Sequence, residues 1–379
     1  ATCVRQEPQL GTGHAVLQAA DALADFEGDA IVLYADTPFV RPETLAAMQA
    51  ARAAHDIVVL GFRAADPGRY GRLILHGDRL ERIVEAKDAT PDDLAVDTCN
   101  SGLLAADAQT LMRLLSKVTN DNAAGEYYLT DLPALAQSEG LSATAILCPE
   151  AETLGINSRA ELAAAETTFQ AAKRLEMLEN GVAMQAPDTI HFALDTWVGR
   201  DAEIEPHVVF GPGVTVESGA QIRAFSHLEG CHVSAGAVIG PYARLRPGAE
   251  IGNDARIGNF VEVKEAQIGD GAKVNHLTYI GDATVGERSN IGAGTVTCNY
   301  DGVMKHRTVI GRDAFIGSDT MLVAPVTLGD RAMTASGSVI TEDVPSGALA
   351  LGRAKQVNKP GLAVKLMDRL RAIKAARKG

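Results

Sequence analysis

Between residues 204 and 340 one apolar position recurs every six residues. It runs through Ile204, Phe210, Val216, Ile222 and Leu228, and after a five-residue step through Val233, Ile239, Leu245, Ile251, Ile257 and Val263. Two more five-residue steps lead to Ile268, Val274 and Ile280, then to Val285 and Ile291. The phase resumes at Ile310, Ile316, Leu322, Leu328 and, less well, Thr334 and Ile340. Gly directly follows many of these positions, as at Gly240, Gly252, Gly258, Gly269, Gly286 and Gly317. A helical face repeats at three and four residues and a half-buried strand at two, so neither template fits. A period of six predicts a parallel β-helix: each hexad forms one short strand, points an aliphatic side chain inward and turns a corner on a small residue. The one long interruption, from Thr297 to Arg307, predicts a loop on a binding face.

Upstream the texture is different. Ala30 to Ala35 and Ile57 to Phe62 are short apolar runs, with further strand candidates at Arg72 to Leu75, Leu80 to Glu85, Leu103 to Ala105 and Thr144 to Leu147. Helices are predicted over 42–54, where Pro42 suits a first helical position, over 107–117 and over 128–139. This alternation predicts an α/β domain with a largely parallel sheet. Ligands of such sheets sit beyond the carboxyl ends of strands, and Asp36 lies at one. Ser158 to Glu161 has capping-box form. A helix is predicted from there to Gly181, a natural stop, with Leu162, Phe169, Leu175 and Leu178 sharing one face. It reads as a linker.

Composition narrows the picture. A chain of 379 residues suits two or three domains. A net charge of −13 and a pI near 5.2 make the chain a poor candidate for binding nucleic-acid backbones, which demand a basic surface. No stretch approaches the ~18 consecutive apolar residues of a membrane span, and no secretory h-region opens the chain. Cys3, Cys99, Cys148, Cys231 and Cys298 are scattered without a Cys-x-x-Cys. They read as small buried hydrophobes in a reducing compartment, so the expected location is cytoplasmic. Residues 199–352 hold 23 of the 37 glycines, which agrees with a repeat of many tight corners. The basic stretch Lys365, Arg369, Arg371, Lys374, Arg377 and Lys378 reads as a solvated helix whose cations suit its C-terminal dipole.

Within the hexads, Arg246, Lys264, His276, Tyr279, Asn299 and Tyr300 exceed what a coil surface needs. Stacked coils of about 18 residues place Lys264 directly above Arg246, whereas His276 falls on another side. One chain does not easily gather them, but a cleft between adjacent solenoids of a closed homo-oligomer, a trimer by its triangular section, does. The chemistry is then an anion clamp beside an imidazole able to accept a proton near neutral pH. A metal alternative would use His191, His227 and His232. In the first domain, the Gly11-Thr12-Gly13 turn and Asp36 are candidates for phosphate and Mg²⁺ binding, or simply for a turn and a helix cap.

Taken together the motifs carry a resemblance. Gln6-x-x-Gln9-Leu10-Gly11-Thr12-Gly13, Leu33-Tyr34-Ala35-Asp36, Gly68-Arg69-Tyr70-Gly71-Arg72, Ile83-Val84-Glu85-x-Lys87-Asp88, Asn100-Ser101-Gly102 and Gly155-Ile156-Asn157 resemble the nucleotidyltransferase half of the bifunctional enzymes that make UDP-N-acetylglucosamine. Pro241 to Gly248, Gly258 to Lys264, His276 to Asp282 and Asn290 to Gly302 resemble their acetyltransferase half. The resemblance implies a Rossmann-like α/β nucleotidyltransferase domain followed by a left-handed parallel β-helix of hexapeptide repeats, assembled as a homotrimer. It implies acetyl transfer from acetyl-CoA to glucosamine-1-phosphate, and uridylyl transfer from UTP to N-acetylglucosamine-1-phosphate with release of pyrophosphate. Arg246 and Lys264 would hold the sugar phosphate, and Tyr279 and Asn290 the sugar. His276 would be the base, supported by Glu262. Ala293, Asn299, Tyr300, Ser318, Ser336 and Arg353 would hold acetyl-CoA. Gln6, Gly11, Thr12, Tyr34, Gly71, Glu85, Asn100 and Asn157 would receive the uridine nucleotide and its sugar, with Mg²⁺ on Asp36 and Asn157.

The implied organisation is a nucleotidyltransferase domain over 1–157, incomplete at its N-terminus, a linker helix over 158–181, a β-helix over 187–353 and a basic helix over 354–379. Ala35 stands where the family usually has Gly, and Ser336 where it usually has Ala. The family's Gly-rich phosphate loop and its Lys do not precede Gln6, so the expectation is acetylation without efficient uridylyl transfer. Two alternatives stay open: a sugar-nucleotide pyrophosphorylase with a regulatory hexapeptide domain, and a non-catalytic trimeric scaffold.

Overall fold

The structure, a computed structural model, describes residues 1–377; Lys378 of the basic stretch lies outside them. Two compact units divide the chain at Ala165 and Glu166.

In the first unit, strands β1 (Asp29–Val32), β2 (Ile57–Arg63), β3 (Arg72–His76), β4 (Arg79–Val84), β5 (Thr98–Asp107) and β6 (Ala143–Cys148) form one sheet in the order β1-β5-β2-β6-β4-β3. Ile57 to Phe62 are all buried. Alternate side chains serve opposite layers: Ile57 and Val59 join Leu111, Leu114 and Leu132, whereas Val58, Leu60 and Phe62 join Met48 of the helix Pro42–Arg52. A strand covered on both faces therefore reads as an unbroken apolar run. That run does not reveal the direction of its neighbours, and here the expectation of a largely parallel sheet is corrected. β2 and β6 pair in parallel, while the other pairings in this sheet are antiparallel. β3 and β4 close as a hairpin, and β5 returns between β1 and β2.

In the second unit the hexad repeat becomes three faces of a stack, each built of parallel pairs one coil apart. Cys231–Val233 under Ala249–Ile251 lies on the first face, Val238–Ile239 under Arg256–Asn259 on the second, and His227–Leu228 under Arg244–Leu245 on the third. Every hexad position from Ile204 to Ile340 is buried, Thr334 included. A second buried column of small residues lies two positions earlier, as at Ala237, Ala243, Ala249 and Ala255. At Thr334, Oγ1 accepts from Gly317 N (3.0 Å) and lies 3.1 Å from Thr320 Oγ1, so a hydroxyl sits inside without an unmet bond.

The helix Arg159–Glu179 is not a bare linker. Gln170 is buried, its Oε1 accepting from Phe192 N (3.0 Å) and its Nε2 donating to Phe192 O (2.7 Å). Arg174 Nε donates to Ile190 O (2.9 Å), and Met177 joins the solenoid core. The expected face is overturned, since Leu162, Leu175 and Leu178 are exposed. A first coil has no coil beneath it, and a terminal cap must cover its open end. The helix Leu362–Ala376 buries none of its residues.

Cysteine placement is mixed. Cys99, Cys148 and Cys231 are buried, and burial pushes the Cys148 thiol up to about 11 and that of Cys231 to about 12. Cys3 is exposed and Cys298 partly so, which corrects the expectation that all five are buried.

Coil stacking leaves no room at the glycine that follows each core position. A Cβ on Gly269 would lie 2.7 Å from Glu287 N of the next coil, a backbone atom that cannot swing aside. Gly269→Ala is therefore expected to cost about 1–3 kcal/mol of stability, read as a lower urea midpoint; an unchanged midpoint contradicts this account.

Candidate functional site

Three corners join the faces, and the corner between the second and third carries a vertical column of backbone bonds. Asn259 O accepts from Leu277 N (3.1 Å), His276 O from Gly294 N (3.3 Å), Ala293 O from Asp319 N (2.7 Å) and Ser318 O from Gly337 N (2.8 Å). Asn259, His276, Ala293, Ser318 and Ser336 thus stack at equivalent places on successive coils. Above His276 the column is small, which keeps the edge open beside the imidazole. His276 Nδ1 lies 2.9 Å from Asn259 Oδ1, and Thr278 Oγ1 donates to His276 O (2.7 Å).

The third face carries the cations. Arg246 Nη1 donates to Glu262 Oε1 (2.9 Å), and Lys264 Nζ lies 3.9 Å from Asp282 Oδ2. Lys305 beside Lys264, helped by partial burial, pulls the Lys264 ammonium below its ordinary range against the opposing pull of Asp282. Asn299 Nδ2 reaches both Asp282 Oδ2 and Tyr279 Oη, the latter at 3.4 Å. The interruption of the repeat is a short hairpin in which Tyr300 pairs with Lys305. Asp301 shapes its turn by accepting from Val303 N (2.8 Å), Met304 N (2.7 Å) and His306 Nε2 (2.7 Å).

The first unit has a cleft of about 1190 Å³ lined by Thr12, Tyr34, Asp36, Gly71, Glu85, Asn100 and Asn157 among others. Burial, chiefly, pushes the Tyr34 hydroxyl up. Its ring lies where any side chain on Gly102 (φ 86°) would sit, so this close approach requires Gly. Gly71 O accepts from Asn100 N (2.8 Å), and the Cα of Gly71 faces Asn100 and Glu85.

Residues 227–344 match the family described as GMPPB C-terminal domain. Over 377 residues the chain is 75% identical to the bifunctional protein GlmU of Jannaschia sp. (strain CCS1), covering 100% of this chain and 83% of that protein. It is 68% identical to the bifunctional protein GlmU of Ruegeria sp. (strain TM1040), covering 100% and 84%, and 66% identical to that of Paracoccus denitrificans (strain Pd 1222), covering 97% and 82%. The chain belongs to the GlmU family. It is a bifunctional transferase with a Rossmann-like unit and a left-handed β-helix. A Vibrio cholerae nucleoside-diphosphate-sugar pyrophosphorylase is 18% identical with a TM-score of 0.32, covering 41% of this chain and 64% of that one, and adds nothing to the assignment.

The residues that the GlmU resemblance singles out are distributed unevenly. Arg246, Glu262, Lys264, Tyr279 and Asn299 share the third face or its edge, while His276, Ala293, Ser318 and Ser336 share the corner. Asn290 stands on the second face, and Arg353 is exposed beyond the last strand. Within one chain Glu262 pairs with Arg246, and the imidazole's partner is Asn259, which sequence reasoning missed along with Asp282 and Lys305. The 17-residue step from Asn259 to His276 was a signal that could have found the first. Gln6 and Gly11 are not among the cleft-lining residues; Gln6 Nε2 donates to Gly11 O (3.0 Å) and so shapes the turn before Thr12. His191 and His227 share the third face but His232 lies on the first, so one chain does not gather the three imidazoles. No group of three His, Cys, Asp or Glu suited to a metal occurs among the described residues.

Mg²⁺ needs less from the protein, commonly one or two oxygens with substrate phosphates completing the shell. Gly155 lies between Asp36 and Asn157: a Cβ there would be 3.9 Å from the Asp36 carboxylate and 3.7 Å from the Asn157 amide. Two oxygen-bearing side chains thus flank one point of the cleft, a donor set that fits the ion.

The rest of the cleft lining mixes Glu85, Glu126 and Glu161 with Arg69 and Lys87, and Asp131 lies close in sequence to the lining residues Tyr128 and Thr130. Burial, then Glu85 and Asp88, push the Asp131 carboxyl up. A carboxyl that titrates higher folded than unfolded opposes folding once pH rises through that range, and the penalty vanishes below the ordinary carboxylate range. Asp131→Asn is therefore expected to raise the melting temperature of the first unit at about pH 8 and leave it unchanged near pH 3. An equal gain at both would show that the effect is not ionisation.

Proposed function

We propose that the second unit transfers the acetyl group of acetyl-CoA to glucosamine-1-phosphate in a cleft between neighbouring copies of a homotrimer. The observation that carries this reading is the separation of two half-sites: His276 on the corner column, and Arg246 and Lys264 at the far edge of the third face. In this reading Arg246 and Lys264 take the sugar phosphate from their resident carboxylates, with Tyr279 and Asn290 on the sugar. Asn259 Oδ1 occupies Nδ1–H of His276 and leaves the lone pair on Nε2. Nε2 takes a proton from the substrate ammonium; the amine then attacks the thioester carbonyl, a C–N bond forms, the C–S bond breaks and CoA leaves as its thiol after taking up a proton. Glu262, through Arg246, orients the clamp around that base. The small column Ala293, Ser318 and Ser336 receives acetyl-CoA, with Asn299, Tyr300 and Arg353 along its length.

The first-unit cleft is the uridyltransferase site in this reading. Gln6, Gly11 and Thr12 position the uracil, Tyr34, Gly71, Glu85 and Asn100 the sugar nucleotide, and Asp36 and Asn157 hold Mg²⁺, whose charge offsets that of the UTP phosphates. The sugar phosphate displaces pyrophosphate from the α-phosphate of UTP. The support is the cleft's size and the convergence of Thr12, Tyr34, Asp36, Gly71, Glu85, Asn100 and Asn157 on it.

Four measurements test the proposal. His276→Ala is expected to lower the kcat of acetyl transfer at least about a hundredfold while glucosamine-1-phosphate binding persists, and Lys264→Ala to raise KM for that substrate. At a glucosamine-1-phosphate concentration low enough that neither variant turns over appreciably, co-assembling the two chains should restore part of the activity, since some clefts then regain both half-sites; mixtures no more active than the separate variants contradict a shared cleft. In the first unit, Asp36→Asn should abolish the Mg²⁺ dependence of UDP-N-acetylglucosamine binding seen by calorimetry. Retention of that dependence would remove Asp36 from the metal site.

A further inference from the structure

The cleft of the first unit holds two cations that the fold leaves unanswered. Arg69 and Lys87 both line it, and both are exposed. Other exposed cations of the chain, such as Arg288 and Arg312, rest on Asp313 and Asp330. Among the described residues the side chains of Arg69 and Lys87 make no hydrogen bond or ion pair, although Glu85, Glu126 and Glu161 line the same cleft. The hairpin of β3 and β4 explains where the two stand. It pairs Leu73 with Ile83 and Arg72 with Val84. One step beyond that last pair, Gly71 faces Glu85: a Cβ on Gly71 would lie 3.6 Å from Glu85 Oε1 and 3.6 Å from Asn100 Cβ. Two residues further out, the same count sets Arg69 across from Lys87. Side chains two apart along extended chain share a side, so this pair continues the edge that Gly71 and Glu85 begin. Like charges facing each other across neighbouring segments destabilise, and an anion between them reverses that sign.

The loop that carries Arg69 is built from within. Arg72, only 3% exposed, turns its guanidinium back on the loop and donates to Pro67 O (3.3 Å), Gly68 O (3.3 Å) and Tyr70 O. Tyr70 N donates to Pro67 O (3.0 Å), and the Tyr70 ring meets Phe62 edge-on with centroids 4.9 Å apart. Among the described residues no carboxylate pairs with Arg72, and its buried Nε has no partner. A buried charge left without a counter-charge is costly; an anion on the outer side of the same loop offsets it. We propose that Arg69 and Lys87 clamp the phosphate on the anomeric carbon of N-acetylglucosamine, the group that attacks UTP and becomes the sugar-linked phosphate of the product. The proposal rests on the uridyltransferase reading of the cleft and adds to it the residues that hold the nucleophile. Gly71, Glu85 and Asn100 receive the sugar in that reading, and the next positions along the hairpin are the cation pair. Arg69 supplies a forked donor and Lys87 a point charge. The UTP phosphates fall to Mg²⁺ on Asp36 and Asn157, so each anionic reactant has a counter-charge of its own as the two approach.

Displacement of a fluorescent uridine monophosphate from the full chain reads affinity at the uridine site alone. Arg69→Gln and Lys87→Gln are each expected to weaken UDP-N-acetylglucosamine at least about tenfold. Uridine monophosphate, which lacks the sugar-linked phosphate, should weaken less than about twofold. Both positions are exposed, so the variants should keep the parental circular dichroism. Equal weakening of the two ligands would move the pair to the uridine-linked phosphate, and unchanged affinities would place it outside the site; either result overturns the clamp and leaves the cleft a uridine site. A parent chain that binds neither ligand refutes the uridine site itself, and the clamp with it.

Discussion

Everything in the second unit depends on one constraint, the in-register stacking of buried aliphatic side chains from coil to coil. Each coil touches only the coils above and below, so its strand, corner and core residues are held by main-chain bonds and a column of apolar contacts repeated every 17 or 18 residues. The glycine after each core residue is part of the same constraint, because backbone of the next coil occupies the space a side chain would need. Function follows from what that rigid lattice leaves free: side chains that point outward, placed to within a coil by counting.

The electrostatics are arranged on that lattice as half-satisfied pairs. Arg246 leans on Glu262, and Lys264 sits between Asp282 and the cation of Lys305. Such pairs hold the cations in place without saturating them, and in the proposed site an arriving phosphate would gain more from Lys264 because a neighbouring ammonium resists its charge. The imidazole stands apart from these groups with only a neutral amide at Nδ1. In the proposed trimer, separating base from cations in one chain and reuniting them between chains would make the reaction conditional on assembly. In the first unit Asp36, Glu85, Glu126 and Glu161 share the cleft with Arg69 and Lys87, and the proposed ligand is itself anionic. In that proposal these two cations and one brought in with the nucleotide share the balance of charge, with Asp36 and Asn157 flanking the place for the latter.

The two units differ in how much of each could be read before folding. The hexad column was legible residue by residue, down to Thr334 as its weakest member, because every inward side chain repeats at a fixed interval and reports the same environment. The α/β unit was legible only as a set of elements. The run Ile57 to Phe62 declares burial on both faces, but direction is decided by connections, and β5 running antiparallel to its neighbours leaves no trace in its own composition. The helix Arg159–Glu179 misled for a related reason: its leucines suggested a face, whereas the first coil needed bonds to exposed carbonyls and amides, and Gln170 and Arg174 supplied them.

The sequence by itself determined the repeat, its core, the interruption from Thr297 to Arg307 and the candidate side chains, since periodicity and residue type are local properties. The tertiary structure decided which of those side chains meet. Glu262 faces Arg246 rather than His276, Asn259 rather than a carboxylate holds the imidazole, and His232 turns away from His191 and His227. A single shortened coil shifts every later residue around the triangle. Only the folded stack records on which face each one finally stands.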